Sequence, residues 1–174
     1  MPLTLQQKQE VVSEVTKVAT QAHSVIAAEY QGLSVGEMTQ LRIKARESNV
    51  HLRVVKNTLA RRAFEGTDFG CMIDELQGQM VYAFSLEDPG GAARVLKDYA
   101  DANKKLVVRL IALGGELLDP SDIKRLASMP TYDQAISLLM AVMKAPVDKL
   151  ARTLNAVPSK LTRTVAAVRD QKQA

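Results

Sequence analysis

The chain has 174 residues, of which 47% are hydrophobic and 4% aromatic, so it can form one ordinary domain with an aliphatic core and still leave an extension. The sequence contains no apolar run near the roughly 20 residues of a membrane span, no secretory apolar segment in its first residues and a single cysteine, Cys71, which excludes an internal disulfide and predicts a cytoplasmic location. The net charge of +4 alone indicates no class of partner.

Alternating helix and strand patterns occupy residues 1–128. Apolar residues recur at helical spacing after Thr4, whereas Val50, Leu52 and Val54 alternate with other residues at the spacing of a strand. The predicted elements are a helix over residues 4–22, a strand over 24–30, a helix from 34, a strand over 50–55, a helix over 59–64, a short helix or turn near 69–76, a strand over 80–85, a helix over 88–103, a strand over 106–113 and a helix over 119–127. This order predicts an α/β (α+β) domain with a small mixed β-sheet packed with helices.

Several predicted helices begin with residues that can cap them. Thr4 with Gln7, and Ser34 with Glu37, have the spacing of a capping box, in which the two side chains bond each other's backbone N–H groups. Asn57 or the residue after it is expected to cap the helix that begins there.

The pattern changes after residue 130. Residues 131–174 show helical periodicity without a strand pattern or a glycine, and they contain Pro146 and Pro158. A proline inside a helix removes one hydrogen bond and kinks the helix. We therefore predict a long, proline-kinked C-terminal helical arm over residues 131–174, divided into three segments of about three turns each.

The arm contains an internal repeat. The sequence KLARTLNAV at residues 149–157 is echoed by KLTRTVAAV at residues 160–168. Eleven residues return to the same face of a helix within about 20°, and the preceding segment follows the same register loosely. The positions that share this face form the apolar stripe: Leu139, Met143, Leu150, Leu154, Val157, Leu161, Val165 and Val168.

An apolar stripe on a helix has to be covered by something, and three coverings are compatible with the sequence. The segments can be equivalent docking sites for the helices of a partner. The arm can instead fold back as an ordinary terminal helix, or lie on a membrane as a basic amphipathic helix. The repeat and the proline spacing favour the docking sites, and the lack of aromatic residues in the repeats argues against the membrane.

Positive charge is concentrated in two islands. Residues 42–62 hold seven Lys or Arg against one Glu, a net +6, and residues 144–174 hold seven against two Asp, a net +5. Solvated helix faces often carry such charge, but localised anionic partners explain it equally well. In the first island Lys56 stands before a helix start, where backbone N–H groups attract phosphate. Tyr30 is the only aromatic residue nearby, which favours a platform for a folded RNA backbone over a stacker of single strands.

Three stretches of the chain carry a family resemblance. AEYQGLSVGEMTQLR at residues 28–42 and RVVKNTLARRA at residues 53–63, in this order and spacing, resemble the bacterial large-subunit ribosomal protein ten family, the base of the ribosomal stalk. LASMPTYDQAI at residues 126–136, followed by a basic amphipathic helix, is similar to the C-terminal part of the same family. The resemblance covers essentially the whole chain.

The resemblance implies two binding regions. The N-terminal domain is expected to bind large-subunit ribosomal RNA, through Gly32, Leu33, Lys56, Asn57, Thr58, Arg61 and Arg62. Charge alone adds Arg42, Arg46 and Arg53 as candidates, and Gln31 stands where the family often has arginine. The apolar stripe is expected to carry dimers of the acidic stalk protein, which recruits translational GTPases. Three segments predict three dimers, and neighbouring ribosomal proteins of the stalk base are further expected partners.

The sequence offers no constellation for catalysis or metal binding. His23 and His51 are the only histidines, and no pair of residues has metal-ligand spacing. We expect Cys71 to be a packed apolar residue and His51 to lie on the outer side of its strand, solvated or near RNA. The glycine pairs match no nucleotide-binding loop. The chain is therefore predicted not to be an enzyme and to need no cofactor.

The alternative function is a non-ribosomal RNA-binding regulatory protein. This hypothesis accounts for the positive charge of residues 42–62 but not for the repeat in the C-terminal arm. Deletion of residues 131–174 separates the two hypotheses, because a stalk-base protein would lose stalk-protein binding and keep RNA binding.

Overall fold

The structure is a computed structural model that describes residues 4–103 and 105–173. It divides into two compact units, the first ending at Thr131 and the second formed by the remainder. Residues 1–3, at the start of the predicted domain, and residue 174, at the end of the predicted arm, lie outside the described residues.

The first unit, here the α/β unit, combines helices with five strands in its described residues. Its α-helices are α1 (Leu5–Gln21), α2 (Val35–Glu47), α3 (Asn57–Phe64), α4 (Gly91–Ala102) and α5 (Ile123–Ala127). Its strands are β1 (Ser24–Glu29), β2 (Val50–Val54), β3 (Met80–Ser85), β4 (Val107–Leu113) and β5 (Glu116–Leu118). Short 3₁₀ helices span Asp68–Glu75 and Pro120–Asp122, and the second unit is one helix, α6 (Tyr132–Gln173).

The strands form a single sheet in the order β2-β3-β1-β4-β5, and neighbouring strands are antiparallel throughout the described part. In the centre of the sheet Ile26 lies between Ala83 and Ile111. Gly114 and Gly115 join β4 to β5 with φ of +57° and +90°. Positive φ at both positions is the requirement of a tight two-residue hairpin turn, which explains the glycine pair.

Each face of the sheet is covered by helices, which gives three layers. Odd and even positions of a strand point to opposite faces, so β3 sends Tyr82 and Phe84 to one face and Val81 and Ala83 to the other. The first face packs against α1, α3 and the 3₁₀ helix Asp68–Glu75, and the second packs against α2, α4 and α5. Two apolar clusters therefore stabilise the unit from opposite sides of the sheet.

The predicted fold class is confirmed: an α/β (α+β) unit with helices packed on a small sheet, followed by a long C-terminal helix. Both predicted capping boxes are present, at Thr4 with Gln7 and at Ser34 with Glu37. The sheet is antiparallel rather than mixed, which is a correction. The alternation of helices and strands cannot distinguish the two, because it does not show which strands become neighbours. Here α2 joins β1 to β2 and α4 joins β3 to β4, and each pair runs in the same direction but is separated by an antiparallel strand.

The local differences from prediction have simple causes. β5 was missed because it is only three residues long. The helix expected from residue 119 begins as a 3₁₀ turn, and α4 begins at Gly91 rather than residue 88. Asn57 does not cap α3, since Lys56 is the N-cap residue and gives no side-chain cap bond. The side chain of Asn57 is used elsewhere, as described below.

The second unit is continuous. α6 is helical through Pro146 and Pro158, so the three predicted segments are stretches of one helix and not separate helices. Each proline lacks an N–H, which leaves the carbonyl four residues earlier without its helical donor. The affected carbonyls are those of Val142 and Leu154.

Candidate nucleic-acid interface and exposed C-terminal helix

The first candidate segment is the turn that follows β1. Gly32 has φ of +86°, a backbone conformation that side chains with a Cβ rarely adopt. The turn is closed by the N–H of Leu33, which donates to the carbonyl of Tyr30 over 3.2 Å. Leu33 is half-buried against the apolar cluster of the second face. Gly32 thus shapes the turn and Leu33 anchors it.

The second candidate segment is the start of α3. Lys56 and Thr58 are exposed and form no side-chain hydrogen bond or ion pair with the part of the chain that the structure describes. Asn57 is different. Its Nδ2 donates to the carbonyl of Gly78 over 2.9 Å, and its Oδ1 accepts from the hydroxyl of Tyr82 over 3.3 Å. Asn57 therefore fastens the start of α3 to the segment before β3.

Tyr30, the first residue of the β1 turn, and the start of α3 line one groove of about 360 Å³. The backbone N–H of Tyr30 donates to the carbonyl of Gln79 over 3.3 Å, which brings the β1 turn to the segment before β3. The groove is lined by Tyr30, Val54, Val55, Lys56, Asn57, Thr58, Gly78, Gln79 and Met80. The sequence analysis did not assign Gln79 to this site, because only the tertiary pairing of Tyr30 with Gln79 shows it.

The two arginines of α3 differ in their contacts. Arg61 Nη2 donates to the carbonyl of Leu76 over 3.1 Å, so Arg61 supports the same segment that Asn57 holds. Arg62 is exposed and has no side-chain partner among the described residues.

Tyr82, whose hydroxyl donates to Asn57, stays protonated. Burial raises the pKa of this hydroxyl to about 12.

Arg53 is engaged in an ion pair. On β2 it lies opposite Tyr82 of β3, on the face that α1 covers, and it contacts Glu14 of α1. The hydrogen bond from Arg53 holds the pKa of Glu14 below its usual range. A phosphate contact at Arg53 would have to compete with this carboxylate.

Arg42 and Arg46 lie on the other layer. They are exposed on α2, whose buried residues include Leu41 and Ala45 in the cluster of the second face, whereas α3 covers the first face. The charge of residues 42–62 is therefore split between two layers of the α/β unit. The structure brings Lys56, Asn57 and Thr58 into one groove with Tyr30, the first residue of the β1 turn. Gly32 and Leu33 of that turn do not line the groove, and the α2 arginines lie on a different helix layer.

A second, acidic groove adjoins the first. It has a volume of about 590 Å³ and is lined by Glu29, Asp74, Glu75, Gln77, Gly78, Met80, Arg109 and Leu110. Arg109 is paired with Glu29 over 3.0 Å. Because Gly78 and Met80 line both grooves, carboxylates border the Lys56 groove on one side and disfavour an extended phosphate path in that direction.

Two residues considered for chemistry lie elsewhere than expected. Cys71 is exposed and not packed, and partial burial raises the pKa of its thiol, which disfavours the reactive thiolate. His51 is half-buried, with its ring 6.2 Å from that of Phe84, because it shares the face that α1 and α3 cover. Within the described residues, no group of three or more His, Cys, Asp or Glu side chains could hold a metal ion.

The apolar stripe is exposed along the length of α6. Leu139 is 62% exposed, Leu154 is 72% exposed and Val168 is 52% exposed. At about 100° per residue, the eight side chains of the stripe fall within an arc of about 80°. Tyr132, Ile136 and Val147 fall in the same arc and are also exposed. The sequence analysis missed these three although they follow the same 11-residue register.

No described helix combines the length and the apolar character needed to cross a membrane. At about 100° per residue, Arg152 and Arg163 of α6 lie roughly opposite the apolar stripe, and Lys149 and Lys160 lie on one flank of it. α6 is therefore amphipathic along its second and third segments.

Comparison with known proteins identifies relatives over the whole chain. Residues 3–101 match the family model described as ribosomal protein L10, and residues 129–158 match that of the ribosomal protein uL10 C-terminal region. The large ribosomal subunit protein uL10 of Thioalkalivibrio sulfidiphilus is 68% identical over 174 residues, covering 100% of this chain and 99% of the relative. The proteins of the same name from Methylococcus capsulatus and Alkalilimnicola ehrlichii are 60% and 58% identical, with the same coverage.

Proposed function

Because the chain belongs to the ribosomal protein L10 (uL10) family, we propose that it forms the base of the stalk of the large ribosomal subunit. Its role is structural rather than enzymatic, and its location is the ribosome in the cytoplasm. In the proposal the α/β unit binds large-subunit ribosomal RNA, and α6 carries dimers of the acidic stalk protein that recruit translational GTPases. A regulator acting outside the ribosome is disfavoured by the family assignment.

The observation that carries the proposal is the exposure of the apolar stripe. A helix of 42 residues that presents large apolar side chains in one narrow arc is the surface that an amphipathic helix of a partner packs against. The basic residues of α6 are suited to an acidic partner. The family model for the C-terminal region covers residues 129–158, which includes the start of this stripe.

The RNA contact is proposed for the groove of Lys56 and Thr58, with Arg62 beside it on α3. These side chains are exposed and have no protein partner within the described residues, so they are available to phosphate. The β1 turn reaches the same groove through Tyr30, and Gly32 and Leu33, which follow Tyr30 in this turn, are proposed as RNA contacts from the family resemblance. Asn57 and Arg61 are assigned to hold the groove in shape, whereas Arg42, Arg46 and Arg53 are weaker candidates for the reasons given above.

Deletion of residues 132–174 tests the division of labour. The truncated chain should keep its affinity for a large-subunit ribosomal RNA fragment and lose all stalk-protein binding. Binding would be measured by gel shift for the RNA and by co-purification for the stalk protein. Lost RNA affinity in a truncated chain that still melts cooperatively would contradict the proposal and assign the RNA contact to α6.

The number of stalk dimers follows from the three segments. Native mass spectrometry of the co-expressed complex should show six stalk-protein copies on each chain. Four copies would mean that one segment does not dock a dimer and would refute the count without refuting the docking.

A salt titration tests the phosphate contact of Lys56. For Lys56→Ala, the slope of log affinity against log salt should fall by about one. Lys124→Ala is the matched control, because Lys124 is exposed on α5 in the other layer and should leave the slope unchanged. An unchanged slope for Lys56→Ala would remove this residue from the interface.

A further inference from the structure

The three segments of α6 are chemically unequal. In the first segment Leu138 and Val142 are 57% and 71% exposed and lie outside the arc of the apolar stripe. At about 100° per residue they are displaced from Leu139 by about 100° and 60° toward the opposite side of the helix. They are one helical turn apart and form a second apolar face, called here the Leu138–Val142 face.

The 11-residue register shows what the other segments carry at the same positions. Lys149 and Lys160 correspond to Leu138, and Thr153 and Thr164 correspond to Val142. The two threonine hydroxyls donate to carbonyls of their own helix, over 2.7 and 2.8 Å. The second and third segments are therefore polar where the first is apolar.

The difference changes how much of the helix a partner can cover. Large apolar side chains, from Leu138 at one edge to the exposed Met140 at the other, span about 200° of the circumference in the first segment, against about 80° in the second. A helix that is apolar over most of its circumference is the type that becomes buried on more than one side. The second and third segments have the single apolar side of a surface helix.

The Leu138–Val142 face is too small to hold a partner of its own. One leucine and one valine can remove on the order of 200 Å² from water, whereas a stable interface buries about 800 Å² on each partner. The face is, however, continuous with the apolar stripe through Leu139. The occupant of the face must therefore be the protein that also covers the stripe.

We propose that the first segment of α6 is the strongest of the docking sites, because its stalk-protein dimer encloses the Leu138–Val142 face as well as the stripe. The inference rests on the proposed function and deepens it. It makes the sites unequal: the dimer nearest the α6 start is retained at dilutions at which the other dimers dissociate.

Single-site chains test this ranking with the full-length protein. Leu150→Asp with Leu161→Asp leaves only the first site, and Leu139→Asp with Leu161→Asp leaves only the second. Each chain is co-expressed with the stalk protein, and the complex is followed by native mass spectrometry through a dilution series. The first-site chain should hold its dimer at least about tenfold more tightly.

Exchanging the side chains at these two positions between the first and second segments tests whether the Leu138–Val142 face causes the difference in stalk-protein affinity. Adding Leu138→Lys and Val142→Thr to the first-site chain should lower its affinity to that of the second-site chain. Adding Lys149→Leu and Thr153→Val to the second-site chain is the matched converse and should raise its affinity. Circular dichroism should show equal helix content in all variants.

Four outcomes would overturn the inference. Equal affinities of the two single-site chains, or an affinity difference that survives the exchange, would show that the face does not contact the stalk protein. Self-association of the free chain that Leu138→Lys with Val142→Thr abolishes would assign the face to a second copy. Absence of stalk-protein binding by the unmodified chain would overturn both this inference and the proposed function.

Discussion

The α/β unit buries most of its large apolar side chains, whereas α6 exposes them. In the α/β unit Phe64, Phe84 and Leu41 are fully buried, and two clusters on either side of the sheet satisfy the apolar residues within the unit. In α6 the large apolar residues are exposed along the helix. The α/β unit is stabilised by apolar side chains that it buries itself. The apolar surface of α6 is removed from water only when a partner covers it. Substitutions of the same kind should therefore have different effects in the two regions.

The largest expected contrast is between a buried and an exposed apolar side chain. Phe64→Ala should lower the free energy of unfolding of the α/β unit by about 3–5 kcal/mol, because it opens a cavity beside Tyr82 and Phe84. Leu154→Ala should change it by less than about 0.5 kcal/mol while weakening stalk-protein binding. Urea unfolding followed by tyrosine fluorescence measures the first effect. A loss of several kcal/mol for Leu154→Ala would abolish the contrast.

The packing of α4 against α5 gives the next effect. A Cβ on Gly90 would lie 2.7 Å from the carbonyl oxygen of Leu126, which is backbone and cannot easily move. Gly90→Ala should therefore cost about 1–3 kcal/mol. Gly36→Ala is the control, because a Cβ there meets nothing within 4 Å and a helical alanine is favoured over glycine. The two melting temperatures should move in opposite directions, and a rise for Gly90→Ala would contradict this.

Within the proposed RNA groove, substitutions at two neighbouring residues should differ in their effect on the stability of the fold. Asn57→Ala removes the partner of the Gly78 carbonyl and of the Tyr82 hydroxyl, so the free energy of unfolding should fall by about 1–2 kcal/mol. Thr58→Ala, at an exposed position, should leave stability within about 0.5 kcal/mol. Thermal melting of both variants checks the prediction, which fails if they are equally stable.

The smallest effect concerns acid stability. Hydrogen bonds from the backbone and side chain of Ser34, followed by the contact with Lys105, hold the pKa of Glu37 below its ordinary range. A lowered folded-state pKa stabilises the fold above the unfolded value, and the contribution is lost as the pH falls through the folded value. Glu37→Gln keeps a residue suited to the capping box and should flatten the fall in melting temperature between about pH 5 and pH 3.

Lys105→Ala provides an intermediate case. It removes one cause of the lowered pKa, the contact of 3.2 Å between Lys105 Nζ and Glu37, and keeps the contacts with Ser34. Its pH dependence should lie between those of the wild type and Glu37→Gln. Identical pH profiles for all three proteins would show that Glu37 does not contribute.

Local signals in the sequence were sufficient for much of the fold. The capping boxes at Thr4 and Ser34 depend only on near neighbours along the chain, and they are present. The direction of the strands was not predictable in this way, because pairing depends on residues far apart in sequence. The same reason explains Asn57, whose side chain bonds the carbonyl of Gly78 rather than its own helix.

The candidate sites divide similarly. The apolar stripe is periodic, so one helix places its eight residues on one side. The sequence was enough to list these eight but not Tyr132, Ile136 and Val147, which share the same arc and are exposed. The charge of residues 42–62 was one run in the sequence, but α2 and α3 cover opposite faces of the sheet. Only the fold shows which charged residues of a sequence share one surface. In residues 42–62 it separates side chains without a protein partner among the described residues, such as Lys56, from ion-paired ones, such as Arg53.

The 11-residue register of α6 also limits how its length can change. Inserting or deleting 11 residues shifts everything beyond that point by about 16 Å along the axis but rotates it by only about 20°. An insertion of two residues would rotate the remainder by about 160° and turn its apolar side away. The helix can therefore be lengthened or shortened in whole repeats, and a change in the number of sites requires no redesign of the sites that remain.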